Sequence, residues 1–155
     1  MREPHKTSML PVYDLFAYLK GNWKLTRKIT DIRLNILGFL SGTISITRES
    51  NKAIRPTLAY HEEGELCFGN YKEKVYRDYR FCFPNAHSAL VFFSDGKIFH
   101  KLDLTTGFCR VEHLCLEDLY QGRFCVESSN VWLSKWHVSG PAKQMILDNH
   151  YQRRE

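Results

Sequence analysis

Two histidines and one cysteine are the residues of this sequence whose types could support chemistry: His100, His113 and Cys115. Two imidazoles and a thiolate can hold zinc or iron, and a single histidine binds haem in some small barrel proteins. The spacing from His113 to Cys115, however, is not an established metal-ligand spacing. We therefore expect no metal and no cofactor. A metal held by His100, His113 and Cys115, or a bound haem, stays the alternative.

Nucleophilic catalysis by Cys115 is the second chemistry that these residues allow. His113 or His100 would act as the base, and a nearby aspartate would orient that base. His113 and Cys115 are two residues apart, about 6–7 Å along one strand, which is too far for direct proton transfer. Asp103 points away from the histidines by alternation, and Asp118 lies at a turn, where it bonds nearby backbone. This geometry argues against an enzyme. An enzyme that acts on a hydrophobic small molecule through the histidine pair stays the alternative.

One short helix and a series of strands must position these residues. Apolar residues from Val12 to Leu19 recur at helical spacing, which predicts one amphipathic helix over residues 12–20 that stops at Gly21. Behind it the apolar period changes to two, and turn signals separate the strands. The predicted strands are 23–30, 38–47, 58–62, 75–83, 88–93, 98–104, 109–115, 119–127, 131–138 and 143–152.

The absence of a linker or repeat predicts a single all-β domain over residues 12–155, preceded by a frayed tail over residues 1–11. About nine or ten short strands at regular spacing are most economically arranged as one antiparallel barrel, because closure removes the exposed sheet edges. The short helix is expected to cover one end of this barrel.

Residues along most of the chain resemble one known family. Gly21-Asn22-Trp23, which opens the first strand, is similar to the G-x-W sequence of lipocalins and other calycin barrels. A longer series, together with Lys24-Leu25 and Arg27, resembles the lipocalin-like domain-of-unknown-function family 6314. This series comprises Phe99-His100-Lys101-Leu102-Asp103-Leu104, Glu112-His113-Leu114-Cys115, Asp118-Leu119-Tyr120, Trp132, Trp136-His137-Val138 and Gly140-Pro141-Ala142-Lys143.

The resemblance covers roughly residues 15–153. It implies a calycin-type barrel, and it implies no reaction and no ligand. After Lys143 the family continues with an acidic and an aromatic residue, whereas this chain has Gln144-Met145. The contacts of the last strand are therefore expected to differ from those in relatives.

Alternation along the strands predicts which side chains point into the barrel. In the strand from Ile98 to Leu104, His100 shares the apolar face and Phe99 lies on the opposite face. In the next strand, from Cys109 to Cys115, His113 shares the apolar face. If the two strands pair as a hairpin, the numbers of two facing residues add up to 213 or 211 in the registers that keep both apolar faces inward. Either register would place the Cβ atoms of the two histidines about 4.5–8 Å apart. We therefore expect the histidines to be neighbours in the barrel interior.

The same rule adds further side chains to the interior. A buried arginine is costly unless it is paired or binds an anion, so Arg27 needs a partner. An aromatic interior with a few polar groups is the usual make-up of a small-molecule site. The side chains expected to contact a ligand are Arg27, His100, His113, Tyr120 and Trp136, with Tyr60 as a further candidate. The alternative is that the two histidines bond each other or Tyr120 inside a packed core.

Composition and charge exclude several classes of protein. With 155 residues, 43% hydrophobic and 25% charged, the chain is typical of one globular domain. Five cysteines without a CxxC pair argue against a disulfide framework and a four-cysteine zinc site. The net charge of +5 is concentrated in residues 1–60 without a nucleic-acid-binding motif, so we expect no nucleic acid partner. Without a membrane-spanning run or a signal peptide, a soluble cytoplasmic protein is expected.

These observations predict a lipocalin-like barrel that binds a small, mainly apolar ligand with one polar or anionic group. A further alternative, from a different class, is a barrel with a filled core that acts through its surface as a subunit or adaptor. The interior volume distinguishes the two, because three tryptophans and the inward phenylalanines and tyrosines could fill the barrel.

Overall fold

The computed structural model describes residues 9–49 and 55–154. In these residues one short helix, α1 (Leu15–Leu19), precedes ten strands. The strands are β1 (Gly21–Asp31), β2 (Ile36–Arg48), β3 (Thr57–Phe68), β4 (Tyr71–Asn85), β5 (Ser88–Phe93), β6 (Ile98–Asp103), β7 (Phe108–Cys115), β8 (Asp118–Ser128), β9 (Val131–Ser139) and β10 (Gln144–Arg154).

The ten strands form one antiparallel sheet that curves into a nearly closed barrel. Its order is β6-β5-β4-β3-β2-β1-β10-β9-β8-β7, so β6 and β7 are the two ends of the sheet. These ends adjoin, since the rings of Phe99 in β6 and His113 in β7 are 5.3 Å apart. The predicted all-β barrel with one short helix is confirmed.

The predicted hairpin ladder between β6 and β7 is wrong. Across the described part of the chain, no strand pairing joins these two strands. The backbone at their turn bonds elsewhere: Val12 N donates to the Leu104 carbonyl at 2.9 Å, and Val126 N donates to the Gly107 carbonyl at 2.8 Å. Because the turn is held by the segment before α1 and by β8, the two strands diverge and the barrel keeps a seam.

A β-bulge in β6 corrects the predicted orientation of Phe99. Val91 lies opposite His100, but the next residue, Phe92, lies opposite Ile98, so Phe99 is an extra residue in its strand. An extra residue breaks the alternation of side chains. Phe99 is half-buried and packs against the core beside His100, instead of pointing outward.

Helix α1 closes one end of the barrel with its apolar side. Leu15 and Leu19 are fully buried, and Leu15 N donates to the Ala86 carbonyl at 2.8 Å. The predicted tail falls partly on residues 1–8, which lie outside the described residues. Leu10 N donates to the Val126 carbonyl at 2.8 Å, so the chain is already attached to β8 before the helix begins.

The helix is shorter than the predicted span of residues 12–20. Val12 lies outside the helix, and its backbone N–H donates to the Leu104 carbonyl. The side chain of Asp14 accepts from Ala17 N at 3.0 Å and caps the first turn. Lys20, with ψ 132°, leaves the helical conformation and leads directly into β1.

Two strands are longer than their patterns predict. β3 continues past Glu62 to Phe68, and β4 begins at Tyr71 rather than Val75. The added residues pair with one another, for example Leu66 with Glu73. Half of the added residues are charged and the extension is only partly covered, so it carries little hydrophobic alternation.

The end opposite α1 is open and is formed by the turns after the odd-numbered strands. These turns lie at residues 32–35, 69–70, 94–97, 116–117 and 140–143. No helix within the described residues has the length and apolar character needed to cross a membrane.

Candidate ligand-binding site

A buried ion pair lies inside the barrel. Arg27 in β1 and Glu62 in β3 are 6% and 2% exposed. The guanidinium donates to both carboxylate oxygens, with Nη1 at 3.0 Å and Nη2 at 3.2 Å, and Tyr60 donates its hydroxyl to Glu62 at 2.7 Å. Burial alone would lower the pKa of Arg27, but the adjacent carboxylate outweighs it and the pKa is raised. Arg27 therefore stays charged and is neutralised by Glu62.

Three further polar side chains extend this network toward β9 and β10. Arg27 Nε donates to Asn149 Oδ1, and Asn149 Nδ2 donates to Ser134 Oγ at 3.0 Å. Ser134 Oγ lies 3.1 Å from the hydroxyl of Tyr151. Burial raises the pKa of Tyr151 to about 12, so this phenol is neutral at physiological pH. The network satisfies polar groups that would otherwise be costly inside an apolar barrel.

Arg27 therefore lies inside the barrel and has the partner that the sequence requires, although the sequence did not identify that partner. Glu62 was not identified as this partner from the sequence. Its alternation with Leu58 and Tyr60 on one strand face could have indicated that it points inward. The contact of Arg27 with a ligand stays a prediction. Its charge is already neutralised, so an anionic ligand would have to compete with a carboxylate.

A small cavity lies beside this network and is called here the inner cavity. Its volume is about 50 Å³, which is room for a few water molecules or one functional group. Two buried nitrogens on its wall, Nδ1 of His100 and Nε1 of Trp132, have no hydrogen-bond partner in the described residues. These side chains are only 8% and 3% exposed. Unpartnered buried polar atoms are uncommon and require an explanation.

His100 is predicted to make the stability of the protein depend on pH. Burial is the largest cause that lowers the pKa of His100, from 6.5 to about 4, and the charge of His113 adds to it. Between these two values the unfolded chain binds more protons than the folded one, so stability is complete above about pH 6.5 and falls toward pH 4.

We expect the free energy of unfolding to fall by about 3 kcal/mol more in the wild type than in His100→Leu between pH 7 and pH 4. Urea unfolding at both pH values measures this difference. Equal losses in the two proteins would show that His100 is not held neutral by burial.

A larger space, called here the mouth pocket, opens at the open end of the barrel. Its volume is about 480 Å³. Its walls include the aromatic side chains Tyr79, Phe93, Phe99, Tyr120 and Trp136 and the polar side chains Arg77 and His113. The structure thus places three of the predicted ligand contacts, His113, Tyr120 and Trp136, around one space.

The side chain of Phe99 contributes to the walls of both the inner cavity and the mouth pocket, as do those of Arg77, Tyr79, Trp136 and Leu147. The Phe99 ring stacks on Phe93, with ring centres 4.4 Å apart and planes 18° apart, and on Trp136, at 5.0 Å and 22°. The ring also contacts His100 at 4.8 Å and His113 at 5.3 Å. Each histidine thus packs on Phe99, with His100 at the inner cavity and His113 at the mouth pocket.

The residues of the catalytic and metal alternatives are spread over the barrel. Cys115 is exposed at the rim of the mouth pocket. Asp103 accepts from Thr105 N at 3.0 Å, and Asp118 lies 3.8 Å from the amino group of Lys143. Over residues 9–49 and 55–154, no group of three histidine, cysteine or acidic side chains is arranged to hold a metal ion.

Arg77 is a further candidate that sequence reasoning missed. It lies in β4 between Val75 and Tyr79, on the face that points inward, and its side chain lines both the inner cavity and the mouth pocket. In the described residues it forms no ion pair, although it bonds the hydroxyl of Tyr79. The alternation along the strand that located Arg27 in the barrel interior could also have identified Arg77.

Comparison with known proteins places the chain in a structural context. The model of a family of unknown function, DUF6314, matches residues 19–153. An S-type phycobiliprotein lyase from Guillardia theta is similar over 99% of both chains, with a TM-score of 0.73 and 9% identity. A protein of unknown function from the DUF3598 family of Nostoc punctiforme is similar over 98% of this chain and 52% of its own, with a TM-score of 0.61 and 13% identity. No curated protein matches the sequence significantly.

Proposed function

We propose that this chain, which belongs to the family of unknown function DUF6314, binds a small, mainly apolar molecule in the mouth pocket of its barrel. The polar or anionic end of this molecule contacts Arg77, with His113 and Tyr120 nearby. The observation that carries the proposal is the pocket itself, an open space of about 480 Å³ with aromatic walls and a few polar groups.

The size and lining of the mouth pocket support small-molecule binding. Ligand sites in proteins commonly have volumes of about 300–1,000 Å³ and combine apolar walls with a few polar groups. The inner cavity, at about 50 Å³, is too small for a whole organic ligand. The part of the barrel near α1 is thus packed, as the filled-core alternative requires, while the open end keeps usable space. The enzyme alternative stays a prediction.

The charges that face the interior favour an anionic or strongly polar ligand group. Arg77 lies opposite Glu62 in the β3–β4 register, but the Glu62 carboxylate is bound by Arg27. Two cations and one anion therefore face this side of the barrel. Asp78, at the rim of the pocket, bonds His61 at 2.6 Å and does not cancel this excess. Arg77 is the cation that a ligand entering from solvent meets first.

A pair of fluorescent probes tests the proposal. 8-Anilinonaphthalene-1-sulfonate is apolar and anionic, and N-phenyl-1-naphthylamine has the same aromatic groups without the charge. We expect both to bind with enhanced fluorescence, and Arg77→Gln to weaken only the sulfonate, by about tenfold, the size of one charge-assisted hydrogen bond.

Arg154→Gln is the matched control, because Arg154 is exposed at the end of β10 and does not line the mouth pocket. It should leave the affinity for both probes unchanged. Absence of binding by both probes would overturn the proposed function, and equal effects of the two arginine variants would overturn the role of Arg77.

A further inference from the structure

The two unpartnered nitrogens of the inner cavity define what kind of group can be held there. The indole Nε1–H of Trp132 can only donate a hydrogen bond. The ring cannot readily turn away, because it stacks on Tyr151 with centres 3.5 Å and planes 3° apart, and it packs edge to face on Trp23. A group that satisfies Trp132 must therefore present an acceptor, such as a carbonyl oxygen.

His100 adds a second site for hydrogen bonding on the same cavity. Its imidazole is neutral at physiological pH, because burial lowers its pKa to about 4. Nδ1 of a neutral imidazole donates or accepts according to the tautomer, so it adapts to the group that Trp132 binds. Both rings pack on Phe124, at 5.4 Å for His100 and 6.1 Å for Trp132, and both line the inner cavity.

The inner cavity has room for such an acceptor group but not for the molecule that carries it. That molecule must extend into the mouth pocket past the side chains that line both spaces, which are Arg77, Tyr79, Phe99, Trp136 and Leu147. Among these, Phe99 is the one at a β-bulge. The space that Phe99 fills is flat, because its ring is nearly parallel to those of Phe93 and Trp136.

The backbone at Phe99 is suited to releasing this ring. Phe99 is the extra residue of a bulge, so it has no partner residue in β5. On its other side, β6 has no ladder with β7 in the described residues. A side chain at a bulge beside an unpaired seam can move without breaking the hydrogen bonds of a continuous sheet.

We infer that the ligand is a flat aromatic molecule with a hydrogen-bond acceptor at its inner end. It displaces the Phe99 ring, stacks on Phe93 and Trp136, and accepts a hydrogen bond from Trp132 in the inner cavity. This inference rests on the proposed function and adds the class of ligand to it. A flexible alkyl chain would fill the mouth pocket equally well but has no polar atom to bond either buried nitrogen.

Three probes separate these ligand classes. Anthraquinone-2-sulfonate is flat and carries carbonyl acceptors, anthracene-2-sulfonate has the same ring system without them, and decane-1-sulfonate is a flexible chain with the same charge. We expect the order of affinity to be anthraquinone, anthracene and then decane sulfonate. The step between the first two should be about tenfold, which corresponds to one hydrogen bond to a buried donor.

Trp132→Phe removes the donor while keeping an aromatic ring. It should abolish the tenfold difference between the two ring probes and leave the affinity for anthracene-2-sulfonate nearly unchanged. Phe99→Ala should tighten both ring probes, since no side chain then has to be displaced. Tyr13→Ala, which removes an exposed aromatic ring just before α1, is the matched control and should change neither affinity.

The indole N–H resonances of the wild type give a second readout, which does not depend on the affinity of any variant. The Trp132 signal, assigned by its absence in Trp132→Phe, should move downfield with anthraquinone-2-sulfonate but not with anthracene-2-sulfonate. Equal affinities for the two ring probes with an unmoved Trp132 signal would overturn the inference. Tightest binding of decane-1-sulfonate would also overturn it while leaving the proposed function intact, whereas failure of all probes would overturn both.

Discussion

Replacing Glu62 by glutamine should lower the free energy of unfolding by about 3–5 kcal/mol. The substitution keeps the shape of the side chain but leaves the guanidinium of Arg27 buried without a counter-charge. Arg27 is 6% exposed and held on its other side by Asn149, so it cannot turn toward water to escape this cost. Urea unfolding of the wild type and the variant at pH 7 measures the difference.

Two further variants separate the charge from the loss of packing. The double variant Arg27→Met with Glu62→Leu removes both charges and should regain most of the lost stability, because a buried ion pair adds little over apolar residues of similar volume. Glu65→Gln, an exposed change in the same strand, should alter stability by less than about 0.5 kcal/mol. A loss below about 1 kcal/mol in Glu62→Gln would contradict the buried pair.

The fold followed from the sequence wherever one face of a strand is buried. In β1 the side chains of Trp23, Leu25, Arg27 and Ile29 are buried in strict alternation, as the pattern indicates. The lengths of β3 and β4 did not follow, because their outer parts are only partly covered and carry many charged residues and few apolar ones. The helix boundary was also missed, since Val12 has helical spacing but is bonded to Leu104.

The candidate site was predicted in part, for a similar reason. Alternation gives the face of each residue within its strand, so it placed Arg27 and His100 inside the barrel. It does not give the register across the barrel, which joins Arg27 to Glu62, two strands away in the sheet. The bulge at Phe99 was invisible, because an extra residue in a strand has no local sequence signature. The division of the interior into the inner cavity and the mouth pocket therefore did not follow from the sequence.

Replacing Trp23 by alanine should lower the free energy of unfolding by about 3–5 kcal/mol. Trp23 is fully buried where α1 meets the barrel, and its indole N–H donates to the Leu19 carbonyl at 2.9 Å. The guanidinium of Arg153 lies 4.2 Å over its ring, and Trp132 packs on it edge to face. Truncation of Trp23 therefore removes contacts with α1, with Arg153 in β10 and with Trp132 at the inner cavity.

The consequences of losing Trp23 extend to the binding site, which distinguishes it from an ordinary core residue. Because Trp23 packs on Trp132, Trp23→Ala should also weaken the binding of anthraquinone-2-sulfonate, whereas Trp23→Phe should keep much of both properties. Tyr13→Ala, at a side chain that is 71% exposed, is the control and should change stability by less than about 0.5 kcal/mol. A loss under about 1 kcal/mol for Trp23→Ala would show that the closed end of the barrel does not depend on this ring.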